Sequence, residues 1–156
     1  MSDALIWRGY NQAELDIQYN SRDTVPDVSL YLNDYADRTR QAKTQLPCIE
    51  NQRYGDQADE LLDIYPAAST KAPVLLYLHG GDWRTLSKED SGFAAPAFVA
   101  QGVMLVVLDF TLVPHTTLPA MGQQVLRALL WLQKTWPISA ATLSASILQG
   151  TRQVPT

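Results

Sequence analysis

Two unbroken apolar runs constrain the fold of this chain more than any other feature. Residues 73–78 read Pro-Val-Leu-Leu-Tyr-Leu, and residues 103–108 read Val-Met-Leu-Val-Val-Leu. A strand with one wet face alternates polar and apolar residues. A run without alternation is a strand covered on both faces, as in a parallel sheet flanked by helices. Each run is followed by helical spacing. Residues 87–100 place Phe93, Pro96, Ala97 and Phe98 near one face, and Gly102 closes that helix. Residues 118–136 form a long amphipathic helix. Its apolar stripe is read through Val125, Leu126, Leu129 and Leu130, and it passes to Leu132 and Trp136 where Gln133 interrupts the ladder. Strand, helix, strand, helix with short connections is the pattern of a parallel α/β sheet with right-handed crossovers.

The preceding residues are more polar. A short helix is expected over 12–19. A longer one opens at Pro26-Asp27 and ends near Leu46-Pro47, with Val28, Leu30, Tyr31, Leu32, Tyr35 and Ala36 at helical spacing. Residues 49–54 read as a weak strand, and residues 61–65 as a better one that stops at Pro66. The chain of 156 residues is long enough for one domain with a sizeable core.

The motif that carries chemistry follows the first apolar run directly: His79-Gly80-Gly81-Asp82-Trp83. Paired glycines let the backbone turn sharply and come close to a ligand. After a buried strand, backbone N–H groups in such a turn can face the oxyanion of an acyl-transfer reaction, each worth about 3–4 kcal/mol of barrier. A plain strand-ending turn with His79 as its cap is the alternative reading.

The wider pattern resembles the arylformamidase (kynurenine formamidase-like) branch of the esterase/lipase α/β-hydrolases. The resemblance rests on Asp63-Ile64-Tyr65-Pro66, residues 73–84, Ala95-Pro96-Ala97-Phe98-Val99-Ala100 and Arg127-Ala128-Leu129-Leu130-Trp131-Leu132. Upstream it includes Tyr19-Asn20 and Val25-Pro26-Asp27, so that it covers residues 10–136. It implies a doubly wound, mostly parallel sheet, and a serine acyl-enzyme acting on a small acyl ester or N-formyl aryl amide without a cofactor. It further implies oxyanion-hole N–H groups from Gly81 and Asp82, support from His79 and Gly80, and a substrate pocket lined by Trp83. The chain departs from that branch at Asp82, where a neutral or aromatic residue is usual, and at Asp109-Phe110-Thr111-Leu112-Val113-Pro114.

The nucleophile, base and acid of this chemistry come in the order Ser, Asp, His, after the helix at 118–136. The chain has no Gly-x-Ser-x-Gly, and its two histidines are His79 and His115, the second in a Pro-rich turn. No triad can be assembled. Residues 137–156 read as neither strand nor helix. With every codon begun at the old third base, residues 150–156, entered from the last base of Gln149, can encode Gly-His-Ser-Ala-Gly-Ala-His. Residues 140–145 can likewise encode Gly-Asp-Pro-Glu-Arg. We therefore read residues 1–136 as a partial α/β-hydrolase domain, with a helical arm over 1–47 and a β/α core over 48–136. Residues 137–156 are read as an out-of-frame, unstructured tail. The expected chain is truncated before the nucleophile strand, catalytically incompetent, and open at the edge of its third strand to self-association. A non-catalytic binding or interaction fragment is the second reading. A complete flavodoxin-like domain would need a phosphate loop after its first strand, and none is visible.

The remaining features exclude more than they propose. Twelve Lys and Arg against sixteen Asp and Glu give a formal charge of −4, which disfavours nucleic acid as a partner. A single cysteine, Cys48, allows no internal disulfide and no cysteine-rich zinc site, and no metal-ligand spacing occurs. The N-terminus carries no secretory pattern, and the apolar runs are too short to span a bilayer, so no membrane is expected and a cytoplasmic location is the default. Trp7, Tyr10 and Tyr19 are expected to pack an N-terminal arm over the site, and Glu89 and Asp90 to form a solvated helix start.

Overall fold

The computed structural model describes residues 4–20, 22, 25–136 and 148–149. Helix α1, Gln12–Tyr19, opens on a capping box in which Asn11 Oδ1 accepts the Glu14 N–H and Glu14 returns a carboxylate to the Asn11 N–H. None of its residues is buried. Helix α2, Ser29–Gln45, starts two residues later than Asp27, whose carboxylate accepts the Ser29 N–H at 2.8 Å. Its inner face is Val28, Leu32, Tyr35, Ala36, Thr39 and Ala42, whereas Leu30 and Tyr31 face outward.

Five strands form one sheet in the order β1-β2-β4-β3-β5. These are β1 Ile49–Arg53, β2 Leu61–Tyr65, β3 Val74–Leu78, β4 Met104–Leu108 and β5 Leu148–Gln149. β1 pairs antiparallel with β2, and β2 antiparallel with β4. β3 and β4 run parallel in full register, from Val74 opposite Met104 to Leu78 opposite Leu108. The two apolar runs are therefore neighbours, and all five residues of β4 are buried. Alternation decides which core each serves. Leu62, Ile64, Leu76, Val106 and Leu108 pack with Met121, Ala128 and Leu132 of α4, Leu118–Thr135. Tyr65, Leu75, Leu105 and Val107 pack with Ala42 of α2 and Ala95 of α3, Ala95–Ala100.

Two expectations are corrected. Residues 87–100 are not one helix: they form 3-10 turns at Lys88–Asp90 and Gly92–Ala94 before α3. The first turn closes on a Ser87–Asp90 capping box. Gly92 lies so close to the Tyr65 ring that a Cβ there would stand 2.2 Å from the hydroxyl, so the chain must bend at that point. The stripe of α4 is also rotated. Met121, Gln124, Ala128 and Leu132 face the sheet, while Leu126 and Leu130 are about half exposed. Gln124 belongs to the inner face because its side chain accepts the Thr111 N–H at 2.8 Å and donates to Thr111 Oγ1 at 3.1 Å, a polar contact that apolar counting overlooks. Leu132→Ala should accordingly cost about 2–5 kcal/mol in a urea melt, and Leu130→Ala no more than about 0.5 kcal/mol.

Of the tail at 137–156, only Leu148–Gln149 falls within the described residues. There the reading without a fifth strand is corrected. β5 pairs parallel with Tyr77 and Leu78 on the outer edge of β3, where exposed strand N–H and C=O groups recruit a partner. Val74, Leu75 and Leu76 have no strand partner on that side among the described residues.

Candidate active site

Parallel strands β3 and β4 end side by side, and in open α/β sheets the carboxyl ends of such strands are where ligands bind. His79 to Trp83 leave β3 there. Gly81, Asp82 and Trp83 have φ of 103°, 52° and 61°, a run of left-handed conformations that only surrounding contacts can hold. Those contacts all take carbonyl oxygens. Gly80 O is 2.8 Å from His79 Nδ1. Gly81 O accepts the Arg84 and Thr85 N–H groups at 3.0 and 3.1 Å, and Trp83 O accepts the Val113 N–H at 2.9 Å. The N–H groups of Gly81 and Asp82 donate no hydrogen bond among the described residues. A Cβ on Gly81 would stand 2.1 Å from Thr85 O.

His79 is buried, its ring stacked on Phe110 at 4.5 Å with an interplanar angle of 2°. Burial holds its pKa below the usual imidazole range, so the ring is neutral at pH 7, and Nδ1 carries the proton given to Gly80 O. Asp109, the residue after β4, directs its carboxylate into the same region. Its Oδ1 accepts the Lys88 N–H at 2.6 Å and lies 3.8 Å from His79 Nε2. Burial pushes this carboxyl up to about 6. A raised carboxyl pKa means that protonation favours the folded state. That contribution is complete below pH 4 and is lost as pH rises through about 6.

Beneath the loop lies a charged cluster that sequence reading missed. Lys43 Nζ sits 2.7 Å from Glu50, 2.9 Å from Asp63 and 2.7 Å from Glu89. Lys88 Nζ reaches Asp63 at 3.2 Å and also pairs with Glu89. Burial alone would lower the Lys43 pKa, but the three carboxylates hold it far above its ordinary value. The three acids converge as metal ligands could, yet the ammonium of Lys43 already occupies their centre. Glu89 and Asp90 do stand in the first turn of a 3-10 helix, with Glu89 half exposed, but one also closes this network and the other caps the turn. The visible signal was Asp63, a lone acid inside an apolar strand.

Trp83 is exposed at the turn, and Asp82 beside it is exposed too. Trp7, Tyr10 and Tyr19 do not pack over the site; all are exposed, and Arg8 lies over the Trp7 ring. Among the described residues, Arg22 of the arm donates to Thr85 Oγ1 of the loop at 2.9 Å. His115 lies exposed in its turn. Burial raises the Cys48 thiol to about 11, which leaves it protonated and unreactive at neutral pH. A cavity of about 250 Å³ lined by Pro66, Ala72, Met104 and Trp136 lies at the opposite ends of the strands, while the one touching Gly80 holds about 30 Å³.

The fold and the position of this turn define part of an α/β-hydrolase. The BD-FAE family model matches residues 62–138. Kynurenine formamidase of Salmo salar is 32% identical over 130 residues, and that of Danio rerio 29% over 136. These alignments cover 78% and 82% of this chain but 44% and 45% of the relatives, so the chain spans less than half their length. A solved structure of a thioesterase-like protein from Silicibacter sp. superposes with a TM-score of 0.73 at 20% identity, over 81% of this chain and 48% of that one. Esterase LipW of Mycobacterium marinum superposes with a TM-score of 0.57 at 18% identity, covering 85% and 42%. The chain belongs to the α/β-hydrolases, in the group that holds esterases and arylformamidases.

Proposed function

We propose that this chain is the oxyanion-hole half of a serine hydrolase of small carboxylic esters or N-formyl aryl amides. The observation that carries the reading is the turn after β3, with the Gly81 and Asp82 N–H groups unengaged among the described residues at the carboxyl end of a parallel pair. In acyl transfer these two donors would hold the oxygen that becomes negative as the carbonyl turns tetrahedral. His79 and Gly80 set the turn, and Trp83 lines the acyl side. The Asp82 carboxylate is exposed, so it can point into solvent rather than at that oxygen. The alignments to kynurenine formamidases support the formamide branch, and the solved esterases support the ester branch.

As translated, the chain supplies no nucleophile, and we attribute this to a slipped frame near Trp136. Each shifted codon takes its middle base from the first base of the next residue's codon, which the amino-acid sequence nearly fixes. Gly150, Thr151, Arg152, Gln153 and Val154 all permit the bases that Gly-His-Ser-Ala-Gly requires. The pairing of Leu148–Gln149 with Tyr77 and Leu78 belongs to the frame as translated, so the slipped reading rests on the codons alone.

Sequencing the gene from codon 125 past the stop tests the frame, and adding one base there tests the chemistry. The chain as translated should show no hydrolysis of p-nitrophenyl acetate or N-formylaniline above buffer and no labelling by a fluorophosphonate. The completed protein should hydrolyse one of them and label on serine. Early stop codons in the second frame would end the frame reading and leave a binding fragment as the better account. The open part of the β3 edge adds a further expectation: self-association of the chain that rises with concentration in sedimentation.

A further inference from the structure

The segment from His79 to Lys88 contains the whole oxyanion turn and four of the non-helical positive-φ residues of the chain: Gly81, Asp82, Trp83 and Leu86. One end of this segment is bonded to Asp109, and the other passes near it. Asp109 Oδ1 accepts the Lys88 N–H at 2.6 Å and lies 3.8 Å from His79 Nε2. Asp109 is itself fixed on both sides: its N–H donates to Leu61 O at 2.9 Å, and its carbonyl accepts the Tyr54 hydroxyl at 2.6 Å. We propose that Asp109 is a positioning residue for the oxyanion turn, its ionised carboxylate holding the Lys88 end of the segment that begins at His79. The proposal rests on the reading of Gly81 and Asp82 as oxyanion donors.

Strained backbone persists only where its surroundings over-determine it. A charge-assisted bond to the Lys88 N–H is stronger than a neutral one, so the hold weakens when Asp109 is protonated. The charged and titratable groups facing it are His79 at the end of β3, Lys88, Glu89 and Asp90 of the 3-10 turn, Asp63 of β2 and Tyr54 after β1. The carboxyl titrates at about 6, within a range where the protein can be handled. Asn at this position keeps an oxygen for the Lys88 N–H and loses only the charge.

The test is amide NMR of the ¹⁵N-labelled chain between pH 5 and 8, in wild type, Asp109→Asn and His79→Gln. In wild type the Gly81, Asp82 and Lys88 amides should shift together with a midpoint near 6. In Asp109→Asn the three amides should hold still, and above pH 7 the Tm should equal or exceed that of wild type, because the cost of a buried charge is gone. In His79→Gln the midpoint should persist, which assigns it to Asp109. If Asp109→Asn does not fold, Asp109→Ser takes its place, and the wild-type and His79→Gln curves still decide. The proposal is overturned if Lys88 titrates while Gly81 and Asp82 do not, or if His79→Gln abolishes the midpoint. Either failure leaves the proposed hydrolysis standing, because that is read separately from serine labelling of the frame-completed protein.

Discussion

Asp63→Ala is expected to unfold the chain or bring it close to unfolding. Asp63 is almost fully buried, and it is the one buried carboxylate among those that the two lysines of the cluster share, at 2.9 Å from Lys43 and 3.2 Å from Lys88. It also accepts the Asn51 N–H at 2.8 Å, which fixes the irregular end of β1. Removing one partner from a buried ionic group leaves uncompensated charge and costs about 3–5 kcal/mol. A small domain has only about 5–15 kcal/mol to lose. The lysines would keep Glu89, and Lys43 also Glu50, but both acids are about half exposed and screened. Urea melts at pH 7 check this. A loss under about 1 kcal/mol would show that the exposed acids suffice. The triple variant Asp63→Leu, Lys43→Met, Lys88→Met should recover most of the loss, since apolar replacement of a whole buried ionic group is often neutral or stabilising.

Gly81→Ala should have the largest effect on chemistry. The residue has φ 103°, and an added Cβ would stand 2.1 Å from the Thr85 carbonyl oxygen, a backbone atom tied into the same turn. The turn must open, and its two N–H groups move off target. In the frame-completed hydrolase kcat should fall about 10²–10³-fold for one lost donor, and more if both are displaced, with KM little changed. Gly122→Ala is the matching control. Gly122 lies in α4 with open space around it, so alanine should raise stability by up to about 1 kcal/mol and leave kcat alone.

The parallel core was legible because its signal is local: β3 and β4 are continuous apolar runs, and the glycine pair after β3 marks a turn wherever it occurs. Helix faces were less legible. In α2 and α4 several apolar residues occur at helical spacing, and which of them turn inward depends on polar partners far along the chain. Gln124 is drawn inward by Thr111, and Thr39 packs by Gly92, while Leu30, Leu126 and Leu130 are left outside. The site divided in the same way. His79 to Trp83 could be read as a motif. Asp109 and Lys88 could not, because their roles exist only once β4 lies beside β3 and the 3-10 turn folds back over both.

The strand order has a consequence for synthesis on the ribosome. β4 enters between β2 and β3, and with it the sheet β1-β2-β4-β3 closes using residues no later than Leu108; α4 then covers one side. β5 adds at the outer edge of β3 and threads through nothing. The first half of such a protein can therefore gain its core while the second half is still being made. A chain that lost its frame after α4, as proposed above, would keep an already assembled half.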